Sequence, residues 1–241
     1  MISGKLILTN ARPCGRVELG AVWVRIQLGG ADMVKLHDYP RSSAAYRVRI
    51  ALNLHGLDYD RVEVDLLSDA QRGADNLAVN KQGLVPTLEI DGLILTQSLA
   101  IVEYLEETRG PLLLPAEPAA RARVRALSYA VAMEIAPIGN LSVRKHVAGL
   151  TAGAMSAEDW TRHYIIKGFA ALEAMLGDGR AGLFSHGDAV TMADVTLMPQ
   201  VYNAERVRID LSAYPLIAGI AARLAQVPAV AAAHPDRVRA G

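Results

Sequence analysis

The strongest constraint on the fold of this chain is a change of pattern at a proline-rich break, GPLLLPAEP, over residues 110–118. Before the break, short alternating segments typical of strands are interleaved with helical segments, whereas no segment after it has strand periodicity. Because proline interrupts both helices and strands, we expect one domain to end and another to begin here. The sequence therefore predicts an α/β domain over residues 33–113 and an all-α domain over residues 118–235.

The α/β domain is predicted to have the element order βαβαββα. Asp91 and Gly92 separate the last two strands and form a dipeptide that strongly indicates a two-residue hairpin. Ser42 or Ser43 caps the first helix, and Gly56 stands where a helix C-terminus favours a left-handed residue. The strands are expected at residues 34–36, 59–64, 85–90 and 93–96, and the helices at residues 44–54, 68–79 and 99–108.

The all-α domain has a clear helix start at Thr191. Thr191 and Asp194 have the spacing of a capping box, in which each side chain binds a backbone N–H group of the other residue. Asp194 is therefore interpreted as a helix cap and not as a catalytic acid. The helices of this domain are expected at residues 121–147, 157–176, 192–207, 215–226 and 229–233.

Residues 1–32 lack this patterning, because their glycines are scattered and only a short strand-like run occurs at residues 21–28. They also lack the apolar core of a secretory signal. We expect a poorly ordered extension or an upstream start codon, with an extra strand or a targeting segment as the alternative. The single cysteine, Cys14, lies in this extension.

Composition excludes several classes of function. The 25 Lys and Arg residues balance 25 Asp and Glu residues, so the chain lacks the cationic excess that nucleic-acid binding requires. No uncharged stretch approaches the roughly 18 residues of a membrane helix. A single cysteine excludes a disulfide framework, and the six histidines include no pair at helical i, i+4 spacing that could hold a metal. We expect a soluble, cytoplasmic protein without metal, nucleic-acid or membrane partners.

Three short segments could carry chemistry. At Arg41-Ser42-Ser43, a helix N-terminus favours an anion, and a serine hydroxyl can donate to a thiolate. At Val85-Pro86, a cis proline would leave backbone groups free to pair with a bound peptide. Gln97-Ser98 starts another helix and could hold a carboxylate. Each segment alone is compatible with a helix cap or an edge proline. Arg47 and Arg49 are interpreted from their spacing as solvated or ion-paired helix residues.

Taken in order, these segments resemble the zeta class of glutathione transferases. The matching stretches are RSSAAYRVRIAL at 41–52, LVPTL at 84–88, QSLAI at 97–101, NLSV at 140–143, MAD at 192–194 and PQVYNAER at 199–206. They are collinear and span roughly residues 34–235. The resemblance implies the glutathione transferase fold, in which a thioredoxin-like N-terminal domain holds glutathione and a helical domain holds the second substrate. It also implies a homodimer.

The resemblance further implies roles for individual residues. Ser42 would donate a hydrogen bond to the glutathione sulfur and activate it, and Val85, before a cis Pro86, would pair with the cysteinyl backbone. Arg41 and Arg206 would bind the carboxylates of a diacid substrate and stabilise its developing charge. The residues implied to bind glutathione are Ser42, Ser43, Arg47, Gln71, Val85, Pro86, Gln97, Ser98, Asn140, Leu141 and Ser142.

The sequence departs from the zeta pattern at Ala44, where the class usually has a cysteine. A nucleophilic sulfur must therefore come from glutathione, which would act as the cofactor.

The activity that the resemblance implies is the cis–trans isomerisation of a maleyl keto-acid in aromatic amino-acid or aromatic-acid degradation. A thiolate would add to the double bond, the bond would rotate, and the thiolate would leave. Maleylacetoacetate is preferred over maleylpyruvate because residues 140–142 read Asn-Leu-Ser. Two alternatives stay open: a transferase that conjugates or dehalogenates small electrophiles such as haloacids, and a non-catalytic binding module with the same fold.

Overall fold

The computed structural model describes residues 14–19, 22–27 and 33–239. The chain divides into two compact units, Met1–Met33 and Val34–Gly241. In the first unit, β1 (Cys14–Leu19) pairs antiparallel with β2 (Val22–Gln27). The strand-like run expected at residues 21–28 contains β2. Most of the other residues of the predicted extension, 1–32, lie outside the described part of the chain.

The second unit begins with a mixed sheet of four strands. These are β3 (Lys35–Asp38), β4 (Asp60–Glu63), β5 (Thr87–Ile90) and β6 (Leu93–Thr96), arranged in the order β4-β3-β5-β6. Strand β3 runs parallel to β4 and antiparallel to β5, and β5 and β6 form the predicted hairpin. Asp91 (φ 54°) and Gly92 (φ 74°) both adopt the left-handed conformation that a type I′ turn requires. This hairpin is therefore confirmed.

Helices α1 (Ser43–Leu54), α2 (Ala74–Val79) and α3 (Ser98–Arg109) accompany the sheet. Helix α1 starts at the predicted cap, because Ser42 accepts a hydrogen bond from the Ala45 N–H group at 3.2 Å. The continuous helix expected at residues 68–79 is wrong. Gly73 is extended there (φ −69°, ψ 160°), so a 3₁₀ turn at Ala70–Arg72 precedes α2. Together the sheet and helices have the thioredoxin-like order βαβαββα.

The rest of the unit is helical, as the sequence predicts. Its helices are α4 (Pro118–Ala132), α5 (Leu141–Leu150), α6 (Ala157–Leu176), α7 (Met192–Arg206), α8 (Pro215–Leu224), α9 (Pro228–Ala232) and α10 (Pro235–Val238). Helix α6 has the predicted bounds, and the capping box of Thr191 and Asp194 is present. Proline-rich residues 110–118 join α3 to α4, and the domain boundary expected there stays a prediction.

Among the helices after α3, the one predicted at residues 121–147 is wrong, because this segment is not continuous. Helix α4 ends at Ala132 and α5 begins at Leu141, so residues 133–140 form a connection between them. Pro137 lacks an N–H group for a helical hydrogen bond, and Asn140 is extended (φ −60°, ψ 146°) as the residue before α5. Four residues of this connection line a pocket: Ile135, Ala136, Pro137 and Gly139.

Helix α1 joins the sheet to the helical half of the unit, because it packs against α3, α7 and α9. Its Arg49 is fully buried and donates to Asp38 at 2.6 Å, to the Pro40 carbonyl at 2.9 Å and to the Ala233 carbonyl at 3.0 Å. The interpretation of Arg49 as ion-paired is confirmed. These bonds attach the segment after α9 to the start of the sheet.

None of the helices in the described residues combines the length and the apolar character that a membrane crossing requires.

Candidate active site

A pocket of about 310 Å³ lies in the second unit, where the starts of α1 and α3 approach α5, α6 and α7. We call the part formed by residues 39–47, 66–86 and 97–98 the first wall, and the part formed by residues 132–145, 161–165 and 200–206 the second wall. Every candidate residue from the sequence lines this pocket. These are Arg41, Ser42, Ser43, Arg47, Gln71, Val85, Pro86, Gln97, Ser98, Asn140, Leu141, Ser142 and Arg206. The individual roles assigned to them stay predictions.

Ser42 stands at the start of α1 and serves as its N-cap. Its Oγ atom accepts from Ala45, which leaves the hydroxyl hydrogen available to an acceptor in the pocket. The helix N-terminus adds a partial positive charge at the same point. The capping and functional interpretations of Ser42 are therefore compatible. Ala44 also lines the pocket, in the place of the usual zeta-class cysteine.

Two residues that line the pocket, Val85 before β5 and Gln71 before α2, carry polar groups without a partner in the described residues. The Val85–Pro86 peptide bond is cis, as expected, and the Val85 N–H and C=O groups form no hydrogen bond with any residue that the structure describes. Asn80 donates to the neighbouring Leu84 carbonyl at 3.0 Å and so holds the loop before β5. The Oε1 atom of Gln71 is buried without a partner. Such a set of free donors and acceptors suits a peptide-like ligand.

A buried cation from α1, Arg47, lies against the start of α3. Gln97 has a φ of +69°, an uncommon conformation for a residue other than glycine, and Ser98 begins the helix. Ser98 Oγ accepts from Arg47 Nη1 at 3.2 Å, whereas Arg47 Nε and Nη2 have no partner. Arg47 is 3% exposed and has no acidic partner among the described residues, so its interpretation as a solvated or ion-paired residue is wrong. Burial lowers the pKa of Arg47 to about 10, which leaves it a cation at neutral pH.

The second wall contains functional candidates that the sequence reasoning missed. Arg144 and Lys145 lie three and four residues after Leu141, so all three share one side of α5 and line the pocket. This spacing is a signal that could have found them. Gln200 and Asn203 on α7 also line the pocket, as do Ile135, Ala136, Pro137 and Gly139 from the connection between α4 and α5.

The pocket is strongly cationic although the chain has no net charge. Asp69 is the one acidic residue among the described residues that line it, and it lies 4.0 Å from Lys145 Nζ. The basic residues that line the pocket are Arg41, Arg47, Arg72, Arg144, Lys145 and Arg206. Hydroxyl, amide and guanidinium groups of this kind donate hydrogen bonds to anions. The pocket can therefore lower the pKa of a bound thiol and compensate several carboxylates.

Comparisons with known proteins agree with this geometry. The family model for the glutathione S-transferase N-terminal domain matches residues 36–113. The chain is 56% identical over 211 residues to a maleylacetoacetate isomerase of Rhizobium meliloti (strain 1021), which covers 87% of this chain and 99% of the relative.

Two solved structures share the fold. One is the holo structure of a maleyl pyruvate isomerase, described as a bacterial glutathione S-transferase in the zeta class; its TM-score is 0.81 at 38% identity, over 84% of this chain and 97% of that one. The other is a maleylacetoacetate isomerase from Methylobacterium extorquens AM1 with bound malonate and glutathione; its TM-score is 0.81 at 42% identity, over 84% of this chain and 97% of that one.

Proposed function

We propose that this chain, which belongs to the zeta class of glutathione transferases, converts a maleyl keto-acid from the cis to the trans form with the help of glutathione. The observation that carries the proposal is a single pocket that combines a serine hydroxyl at a helix N-terminus with a surplus of arginines. This combination suits thiolate chemistry on a substrate that carries carboxylates. Glutathione bound to the Methylobacterium relative supports the same cofactor here.

The first wall fits glutathione, because its unpartnered groups match those of a tripeptide. The Val85 N–H and C=O groups would pair with the peptide backbone of the cysteinyl residue, and Gln71 Oε1 would accept from an N–H group. Arg47 and Ser98 would hold the carboxylate of the γ-glutamyl end. A carboxylate there would supply the counter-charge that buried Arg47 lacks among the described residues.

Ser42 would hold the sulfur. When bound, glutathione would supply a nucleophilic thiolate for reversible addition to the double bond of the substrate. The Ser42 hydroxyl donates a hydrogen bond that favours the thiolate over the thiol, and the N-terminus of α1 adds positive potential. Both effects lower the pKa of the bound thiol and raise the fraction of nucleophile at neutral pH.

Arg41 and Arg206 would bind the carboxylates of the substrate and stabilise the enolate-like charge that develops during addition. The malonate bound to the Methylobacterium relative is itself a dicarboxylate and supports this assignment. We assign maleylacetoacetate as the preferred substrate, because residues 140–142 read Asn-Leu-Ser and the relative at 56% identity is named for that reaction.

We also infer a homodimer in the cytoplasm. Large apolar side chains are exposed on the edge strand β6, at Leu93 and Ile94, and at the end of α4, at Met133. A second copy of the chain would cover such side chains. The cytoplasm is the compartment in which glutathione keeps thiols reduced. Analytical ultracentrifugation of the purified protein tests the dimer, and a monomer at micromolar concentration would contradict it.

The isomerase is tested with purified protein and two substrates, maleylacetoacetate and maleylpyruvate, each with and without glutathione. We expect turnover that depends on glutathione and is faster with maleylacetoacetate. Faster turnover of maleylpyruvate would overturn the substrate assignment alone. Glutathione binding without isomerisation of either substrate would favour the transferase alternative, and absence of glutathione binding would favour the non-catalytic module.

A further inference from the structure

Arg144 is a cation in the pocket to which neither the resemblance nor the proposed mechanism gives a role. It lies one turn into α5, on the side of the helix that lines the pocket. The side chain is half-buried, and its Nε atom is buried without a hydrogen-bond partner. The Nε–H group in that position has lost water without gaining a partner, which is unfavourable unless a ligand supplies one.

The charged neighbours of Arg144 leave it uncompensated. Lys145, the next residue, has Asp69 at 4.0 Å, whereas Arg144 forms no ion pair with any residue in the described ranges. Arg206, at the C-terminal end of α7, also lines the pocket and likewise has no ion pair there. Its guanidinium carbon lies 5.8 Å from the centre of the Tyr202 ring, a contact that leaves its hydrogen-bond donors available.

Arg144 and Arg206 line the same pocket, and their like charges repel each other. The pKa of Arg144 lies below its ordinary value, first because burial disfavours the charged form and second because Arg206 is nearby. A single carboxylate bound between the two guanidiniums would remove this repulsion and accept hydrogen bonds from both. The repulsion and the unpartnered Nε atom therefore both favour an anion at this point of the second wall.

We propose that Arg144 and Arg206 together bind one carboxylate of a dicarboxylate substrate, so that Arg144 helps to select doubly charged substrates. The proposed function assigns the γ-glutamyl carboxylate of glutathione to Arg47 and Ser98, which are bonded to each other in the first wall. Arg41, beside Ser42, remains for the other carboxylate of the substrate. The inference takes the reaction from the proposed function, but the binding of a dicarboxylate can be measured without turnover.

The test compares Arg144→Met with Arg144→Lys and measures the affinity for succinate, an unreactive dicarboxylate, by calorimetry with glutathione present. We expect Arg144→Met to weaken succinate binding about 10- to 100-fold, because one of two charge-assisted contacts is lost. Arg144→Lys should recover part of this loss. The affinity for glutathione should stay within twofold of the wild type. In turnover, KM for the maleyl keto-acid should rise while kcat changes less than threefold.

Lys167→Met is the matched control, because Lys167 is an exposed cation on α6 that does not line the pocket. It should leave both affinities unchanged, which excludes an effect of net charge. Unchanged succinate affinity in Arg144→Met would overturn the proposal. A loss of glutathione affinity alone would also overturn it, since Arg144 would then serve a glutathione carboxylate.

The proposed function and this inference fail in different ways. If the wild type binds succinate but isomerises no maleyl keto-acid, the reaction is wrong, and a loss of succinate binding in Arg144→Met still supports the carboxylate site. If the wild type isomerises the substrate and Arg144→Met changes neither succinate binding nor KM, the carboxylate site alone is wrong.

Discussion

The two walls of the pocket are built in different ways. Apart from Arg47, which projects from within α1, the first wall relies on the ends of elements: Ser42 and Gln97 precede α1 and α3, and the Val85 backbone precedes β5. The second wall uses side chains that project from α5, α6 and α7, together with the connection between α4 and α5. The positions of groups at element ends are fixed by the backbone fold, so these groups suit a ligand that is the same in all relatives, such as the proposed glutathione. Side chains on helix faces can be exchanged without altering the backbone, so they suit a substrate that differs between relatives.

The largest expected effect separates ligand binding from stability at two arginines of helix α1, of which only Arg47 belongs to the first wall. Arg47 and Arg49 stand two residues apart on α1, but Arg47 lines the pocket while Arg49 is bonded to Asp38. Arg49→Met should lower the free energy of unfolding by about 3 to 5 kcal/mol, because it leaves a buried carboxylate with one partner fewer. Arg47→Met should leave that free energy unchanged or higher, yet weaken glutathione binding about tenfold.

Denaturant unfolding and glutathione calorimetry on both variants check this pair. Equal losses of stability would contradict the distinction, since Arg47 would then be part of the structural core and not a ligand contact.

The next effect concerns the hydroxyl group of Ser42 in the first wall. Ser42→Ala should lower kcat/KM about 100- to 1000-fold at neutral pH, because the bound thiolate loses its hydrogen-bond donor. The pKa of the bound thiol should rise, so the deficit should shrink as the pH increases above that pKa. A pH–rate profile measures both quantities. Ser42→Thr keeps a hydroxyl and a helix cap and serves as the control. A pH-independent deficit would show that Ser42 acts in some other way.

The smallest effect concerns the packing of the second wall. A methyl group added to Gly168 on α6 would collide with the Cδ1 atom of Ile135, which lines the pocket. Gly168→Ala should therefore displace Ile135, lower the free energy of unfolding by about 1 to 3 kcal/mol and weaken succinate binding without changing glutathione binding. Gly149→Ala on α5 is the control, since no atom lies within 4 Å of the added group.

Thermal unfolding and calorimetry test the glycine pair. If Gly168→Ala weakened the binding of glutathione as much as that of succinate, the two walls would not bind these two ligands independently.

The sequence predicts the first wall better than the second, and the reason is physical. Helix caps such as Ser42 and the turn at Asp91 and Gly92 depend on neighbours in the chain, so local rules identify them. Arg47 and Arg49 share a helix and a residue type, and only the tertiary positions of Asp38 and the pocket distinguish them. No local rule contains that information.

The break between α4 and α5 was missed for a related reason. The segment around it is rich in apolar residues at helical spacing, so periodicity alone favours one helix over residues 121–147. Pro137 and Asn140 both favour a helix break, but the sequence does not show that this segment lines a pocket and leaves the helical path there. Arg144 was missed with them, because its position toward the pocket follows from where α5 begins.

Ala44 has a consequence for how this protein would respond to alkylating chemicals. Residue 14 is the sole cysteine in the chain, and Ala44 lines the pocket where relatives of the zeta class usually carry a thiol. A haloacetamide that entered the pocket would meet one sulfur, that of the bound tripeptide, and the labelled tripeptide could then dissociate. Such thiol-directed labels would accordingly be recovered on the tripeptide in the small-molecule fraction, and the mass of the protein chain at this pocket would stay unchanged.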